Sequence, residues 1–317
     1  MHSPILAHRA LVIASLENND DHTPAPKPAT DAIPVSELNV RLLTGETINH
    51  NPLKGHSGTS SQFLTNTHAE ISFEIALPFR KNTATKTVPW SNLLQACGMN
   101  IEPNDEANSK NLSLSLIPAE NLSKALSFHY YLDGQLYSIR NARGNAIFIL
   151  DPGQLPILRF AFIGKTASVA DTPLPQASFA AWNQPIPVSP QNTSISVHNT
   201  QIAIQRLSLN LGNNLRMLHR TNLSASLINN REPSGSLSFD HTDRTTFDPL
   251  SLIKNETLIP LSITHGDTSA QYWKVSCPHI QLLEPSLQKD GNVSSFSIPF
   301  SVHKISLQSH DIKVFAS

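Results

Sequence analysis

Charge is scarce in this chain. Asp, Glu, Lys and Arg make up 15% of its 317 residues, against about a quarter in an average globular protein. The 23 basic residues nearly cancel 24 acidic ones, leaving a net charge of -1, which excludes a chain-wide electrostatic footprint for nucleic acid or an anionic membrane. Cysteine is rarer still. Cys97 and Cys277 are too few for a disulfide framework and have no C-x-x-C spacing. Neither carries a sequence signal for a lowered pKa, so both read as buried, inert thiols. Long apolar runs are also missing. The one stretch resembling a targeting signal, Leu11 to Leu16 between Arg9 and Glu17, is too short for a signal core and far too short to span a bilayer.

Recognisable catalytic spacing is equally sparse. No G-x-S-x-G elbow, H-E-x-x-H pair, G-x-G-x-x-G turn or calcium loop occurs. Gly164-Lys165-Thr166 has the ending of a phosphate-binding loop, but Arg159 stands where its first glycine belongs, so the triplet reads as a strand end. His50, His56 and His68 fall in one polar stretch and read as solvated loop residues, not metal ligands. Six Asn-x-Ser/Thr sequons are expected by chance in a chain so rich in those residues.

What the chain does have is proline, 23 residues of it, and period-2 alternation. Ile71, Phe73, Ile75 and Leu77 share one side of a strand, as do Leu126, Phe128, Tyr130 and Leu132, then Leu158, Phe160 and Phe162, then Phe296, Ile298, Phe300 and Val302. Asp133-Gly134 between two alternating runs is a strong hairpin signal. A short helix is predicted after Pro89, stopping near Gly98, and a second over Phe247 to Ile253.

The expected organisation is an arm over residues 1–33, a first β domain over 34–170, a Pro-rich linker over 171–194 and a second β domain over 195–317. The arm and a long polar loop from Gly45 to His68 are expected to lie outside either core. Trp182 and Phe179 imply that the linker packs on something. The order of elements recurs on both sides of the linker: a strand near Leu42 or Leu209, a polar segment, a strand centred on Phe73 or Phe239, a short helix, a hairpin and closing strands. The first two strands are 31 residues apart in one half and 30 in the other. A divergent internal duplication accounts for this order.

Several segments together resemble the tail tube, or major tail, proteins of long, non-contractile-tailed bacteriophages and related prophages. These are LVIASLE, HTPAPKPATDAIPVSELNV, the triplet Gly45-Glu46-Thr47, PWSNLLQACGM, YYLDGQLYSIRNARGNAIFIL with GQLPILRFAFIG, WNQPIPVSPQNTSISVH, RLSLNLGNN, INNREPSGSLSFD and QKDGNVSSFSI. The match departs at Asn18, Asn19, Asp20 and Asp21 and after Val302.

The resemblance implies a mainly β fold of two tandem β-sandwich tube-type domains, each with a short helix, preceded by an extended arm. It implies a structural virion protein, not an enzyme, with no catalytic, cofactor-binding or metal residues. Its partners would be further copies of itself in stacked rings; two like domains per chain would let three chains complete a pseudo-hexameric ring, the alternative being a hexamer in which only one half builds the channel. A tape measure protein would occupy the lumen during assembly, with tail terminator and tail tip proteins at the ends. DNA would pass transiently without specific binding, and no membrane is involved. The expected location is the virion tail, and the host cytoplasm during assembly. The other reading is a two-domain β-sandwich module that recognises carbohydrate or a cell surface. Aromatics at only 6% of residues, mostly at alternating core positions, argue against exposed stacking platforms.

Overall fold

The computed structural model describes residues 9–17, 25–50, 61–79, 88–102, 112–117, 124–241, 243–267, 271–290, 293–304 and 311–316. The first half contributes β1 (Ala10–Leu16), β2 (Ala32–Ile33), β3 (Ser36–His50), β4 (Ser61–Ala76), α1 (Ser91–Ala96), β5 (Met99–Ile101) and β6 (Leu112–Leu116). It continues with β7 (Leu126–Leu132), β8 (Gln135–Leu150), β9 (Ile157–Lys165) and β10 (Ser168–Asp171). The second half contributes β11 (Thr193–Val197), β12 (Thr200–Gln201), β13 (Ile204–Asn210), β14 (Asn213–Arg220), β15 (Leu223–Arg231), β16 (Ser234–Asp240) and α2 (Pro249–Lys254). It ends with β17 (Leu258–Gly266), β18 (Tyr272–Leu282), β19 (Ser286–Asp290), β20 (Val293–Val302) and β21 (Lys313–Ala316).

Each half is a two-sheet sandwich, and the pairings recur. In the first, one sheet runs β3-β4-β9-β8 and the other β2-β1-β7-β8-β10. In the second, one sheet runs β13-β16-β20 and then β18 and β19, the other β12-β11-β17-β18-β21. The strand β8 serves both sheets because it bends. Asn141 takes φ +53° there, and the pairing with β7 slips between Leu126 and Phe128, a bulge that redirects the strand. Asp133 and Gly134, at φ +42° and +98°, form the two-residue turn between β7 and β8, and both positive angles suit the right-handed twist of a hairpin.

Alternation makes the core. Phe73 packs its ring 5.7 Å from Phe160 and 6.0 Å from Phe162, with Phe128 at 6.1 Å from the facing sheet. Buried residues of both halves form one continuous cluster, including Leu150 and Phe148 from the first and Leu207 and Leu209 from the second. The helix α1 is short and buried. It ends at Gly98, φ +82°, where the left-handed backbone favours glycine. The cap of α2 is Asp248, which accepts from the Ser251 N–H at 3.2 Å ahead of Pro249.

Two expectations need correction. The segment Ala10–Leu16, expected to lie in an arm outside the core, pairs along the whole of β7 and buries Val12 and Ile13. Its seven residues are few, but both faces are apolar: Val12 and Ala14 join the main core, while Leu11 and Ile13 pack with Ala32, Tyr131, Leu136 and Ala177 of the linker. The polar stretch Gly45 to His68, expected as a loop, is strand at both ends. Residues 45–50 and 61–68 extend the β3–β4 hairpin well beyond the sandwich, and residues 51–60 lie outside the described ones. Thr47, Ile48, Phe63, Thr65 and Thr67 favour an extended backbone even with no core beneath them. The linker does pack on the first half: Trp182 donates its indole N–H to the Ala32 carbonyl at 2.9 Å.

Candidate assembly interface

The two halves meet by strand pairing. Along β13 and the end of β8, Leu207, Ser208, Leu209 and Asn210 pair with Leu150, Ile149, Phe148 and Ile147. Asn145 donates to the Asn210 side chain at 2.7 Å at one end, and Arg206 grips Asp151 with two bonds of 2.8 and 2.9 Å at the other. The resulting sheet is continuous across the chain, in the order β3-β4-β9-β8-β13-β16-β20-β19.

A second contact clamps the joint. Beyond Gly212 the chain forms the β14–β15 ribbon, which lies over β8, β9 and β4 of the first half. Asn213 anchors its base. The side-chain amide of Asn213 donates to the Cys97 carbonyl at 2.7 Å and to the Gly144 carbonyl at 2.9 Å, and its oxygen accepts from Arg231 at 2.7 Å. Arg231 also donates to the Ile117 carbonyl at 2.6 Å, placing a cation beside the C-terminus of α1. Burial pulls its guanidinium pKa below the usual arginine value. Farther out, the Ser226 N–H donates to the Asn141 side chain at 2.8 Å, the Ser226 hydroxyl donates to the Asn141 carbonyl, and Arg143 donates to the Ser226 carbonyl at 2.8 Å. The bend in β8 is therefore also the docking point of the ribbon.

The ends of the shared sheet lack such cover. Among the described residues β3 pairs only with β4, and β19 only with β20. Leu43 on the one is 57% exposed and Leu287 on the other 64%. The outer part of the β3–β4 hairpin carries Ile48 and Phe63, each 55% exposed. Unpaired strand edges with apolar side chains are templates for another strand.

Gly164 and Lys165 close β9, as a strand end should. Among the described residues no group of three or more His, Cys, Asp and Glu could hold a metal. His50 is exposed on β3 and His68 lies on β4, while His56 falls outside the described residues. Cys97 and Cys277 are buried, and burial pushes both thiols far above their ordinary pKa. A cleft between β1, α1 and the linker, lined by Ala14, Ile33, Leu93 and Trp182, includes only Asp31 as an acid among the described residues. That carboxylate is held by the Lys27 N–H and the Thr30 hydroxyl.

Gly212, Asn213, Arg231 and Asn141 lie in segments that carry the resemblance, and Ser226 lies outside them; none shows its role in the sequence, because these contacts cross the boundary between the halves. Residues 124–301, more than half of the chain, match the family model described as phage tail tube protein. No curated protein sequence matches the chain.

Proposed function

The chain belongs to the phage tail tube protein family, and from that premise we propose that it polymerises as stacked rings whose channel carries DNA from capsid to host. It is a structural protein of the virion tail. The observation that carries the finer reading is the eight-strand sheet shared by the two halves, which ends in two unpaired edges. A sheet of this kind resolves its edges by closing on itself.

Each chain supplies two sandwiches of like topology, so three chains complete a ring with pseudo-sixfold symmetry. The domains on this reading are residues 34–170 and 195–317, with β1 and β2 added to the first by their pairing. The linker bridges the two on the outside of the ring. Stacking would be completed by a tape measure protein in the lumen and by terminator and tip proteins at the ends. Near-neutral composition suits a conduit, because a strongly basic lumen would retain phosphates by counterion release.

Electron microscopy of the purified chain tests this. Rings or tubes with three chains and six sandwiches per layer are expected. Six chains per layer, or a chain that stays monomeric at high concentration and binds glycans, would overturn it in favour of a hexamer or of a binding module.

A further inference from the structure

The joint between the two halves of one chain can be copied residue by residue. In the first half Val40 pairs with Ile71, and Ile71 with Phe162. In the second half Leu207 pairs with Leu237, and Leu237 with Ile298. These are the same three-strand rung: Val40 and Leu207 each stand five residues before the glycine that opens the following ribbon, Gly45 and Gly212. A Cβ on either glycine would strike the opposing backbone, at 2.5 Å from the Thr65 oxygen and 1.9 Å from the Glu232 oxygen. The rung and the glycine recur in both halves, and β3 differs by a bulge between Arg41 and Thr44 that β13 lacks at the equivalent place.

Three residues along, the rung reads Glu74, Arg159, Ile147 and then Asn210 of β13. Its counterpart reads Asp240, Ser295 and Gln288, and stops, because β19 has no further partner among the described residues. Asn210 pairs with Ser234, whose counterpart His68 pairs with Thr44 beyond a bulge of β3 between Arg41 and Thr44, so the residue equivalent to Asn210 is Thr44, on the other unpaired edge.

We propose that copies of this chain join head to tail by repeating this internal joint between molecules, with β3 of one copy antiparallel to β19 of the next, Thr44 opposite Gln288, Leu43 opposite Lys289 and Gly45 opposite Leu287. The exposed Leu43 and Leu287 then are diagonal neighbours on one face of the seam. The outer β3–β4 hairpin takes the role of the β14–β15 ribbon and lies over β16 and β20 of the next copy. Leu283, whose N–H bonds the Pro299 carbonyl, stands there where Arg143, paired with Ile163, receives the ribbon in the first half. It is 41% exposed, an apolar partner for Ile48 and Phe63. The contact is heterologous, so it generates rings or filaments and not isolated pairs.

This proposal rests on the self-assembly reading above, and its test separates the two. The double variant Thr44→Cys with Gln288→Cys is assembled and oxidised, the native thiols being buried. A reductant-sensitive ladder of covalently joined chains is expected, and the next rung, Leu43→Cys with Lys289→Cys, should give the same. Thr44→Cys with Leu287→Cys, one residue out of register and on opposite faces of the sheet, should give at least tenfold less. Phe63→Glu should raise the concentration needed for assembly at least tenfold with the melting temperature of the monomer unchanged. Tubes that form with neither in-register pair cross-linking would overturn the proposed pairing and leave the assembly reading standing. Tubes indifferent to Phe63→Glu would overturn the hairpin contact. A wild-type chain that never assembles would overturn both readings.

Discussion

Asn213 of the second half donates its side-chain amide to the Cys97 carbonyl of the first, at 2.7 Å, across the base of the β14–β15 ribbon. With its second donation to Gly144 and its acceptance from Arg231, the side chain satisfies three groups that water barely reaches. Removing it strands them, and a buried polar group without a partner costs about 1–3 kcal/mol. Asn213→Ala is therefore expected to lower unfolding stability by about 2–3 kcal/mol, read by urea denaturation. Asn213→Asp should be no better, since it loses both donations.

The turn just before that residue is as constrained. Gly212 sits at φ +68°, and a Cβ there would meet the Glu232 carbonyl oxygen at 1.9 Å and its carbon at 2.3 Å. Neither neighbour is a flexible side chain that can swing aside. Gly212→Ala is expected to cost about 2 kcal/mol or more and to loosen the ribbon, seen as faster hydrogen exchange over residues 213–231. The Gly134→Ala change at φ +98°, where nothing stands within 4 Å of the added carbon, should cost about 1 kcal/mol. A similar loss at both positions would refute the steric argument.

Cys97 and Cys277 make a simpler test. Both are fully buried, and burial disfavours the thiolate that reacts with disulfide reagents. The native protein should show no rapidly reacting thiol, and two should appear on unfolding in guanidinium. Prompt labelling of either in native buffer would mean that its sandwich opens readily.

These interactions divide cleanly by legibility. Strands whose alternation is internal, such as Phe73 to Leu77 or Phe296 to Val302, could be read directly, because burial on one face writes period 2 into the residues. The Asp133-Gly134 turn and the helix ending at Gly98 carried their own local chemistry. The β3–β4 hairpin beyond Gly45 did not, because no buried face lies beneath it and its few apolar residues, Ile48, Phe63 and Leu64, write no period-2 pattern. Ala10–Leu16 was legible as apolar but not as core, since its partner β7 lies more than a hundred residues away. The contacts of Asn141, Ser226 and Arg231 are set by how the repeats meet, which no local pattern records.

His265 sets the expected pH dependence. It is buried, stacked on Phe79 at 5.4 Å and 11° and lying 5.0 Å from Trp273, with Nδ1 2.8 Å from the Thr193 hydroxyl. Burial pulls its pKa down to about 4, against a bond with the Ile186 backbone that pushes the other way. The unfolded chain binds a proton at this histidine near its ordinary pKa of about 6.5, whereas the folded chain refuses it until about 4. Stability attributable to His265 is thus complete above pH 6.5 and is lost as pH falls through the interval below. The slope from one such group approaches about 1.4 kcal/mol per pH unit. His129, lowered by burial and by Arg140, adds to it with the same sign. Urea unfolding of the wild type at pH 7.0, 6.0 and 5.0, a range that stays above most carboxylate titration, should show this decline. His265→Gln keeps a hydrogen-bonding group near Thr193 but cannot titrate. It should be less stable than the wild type at pH 7 and lose less on acidification, so the two curves converge towards pH 5. Parallel curves would show that the imidazole is solvated, and with it the edge of the second sandwich where β11 meets β17.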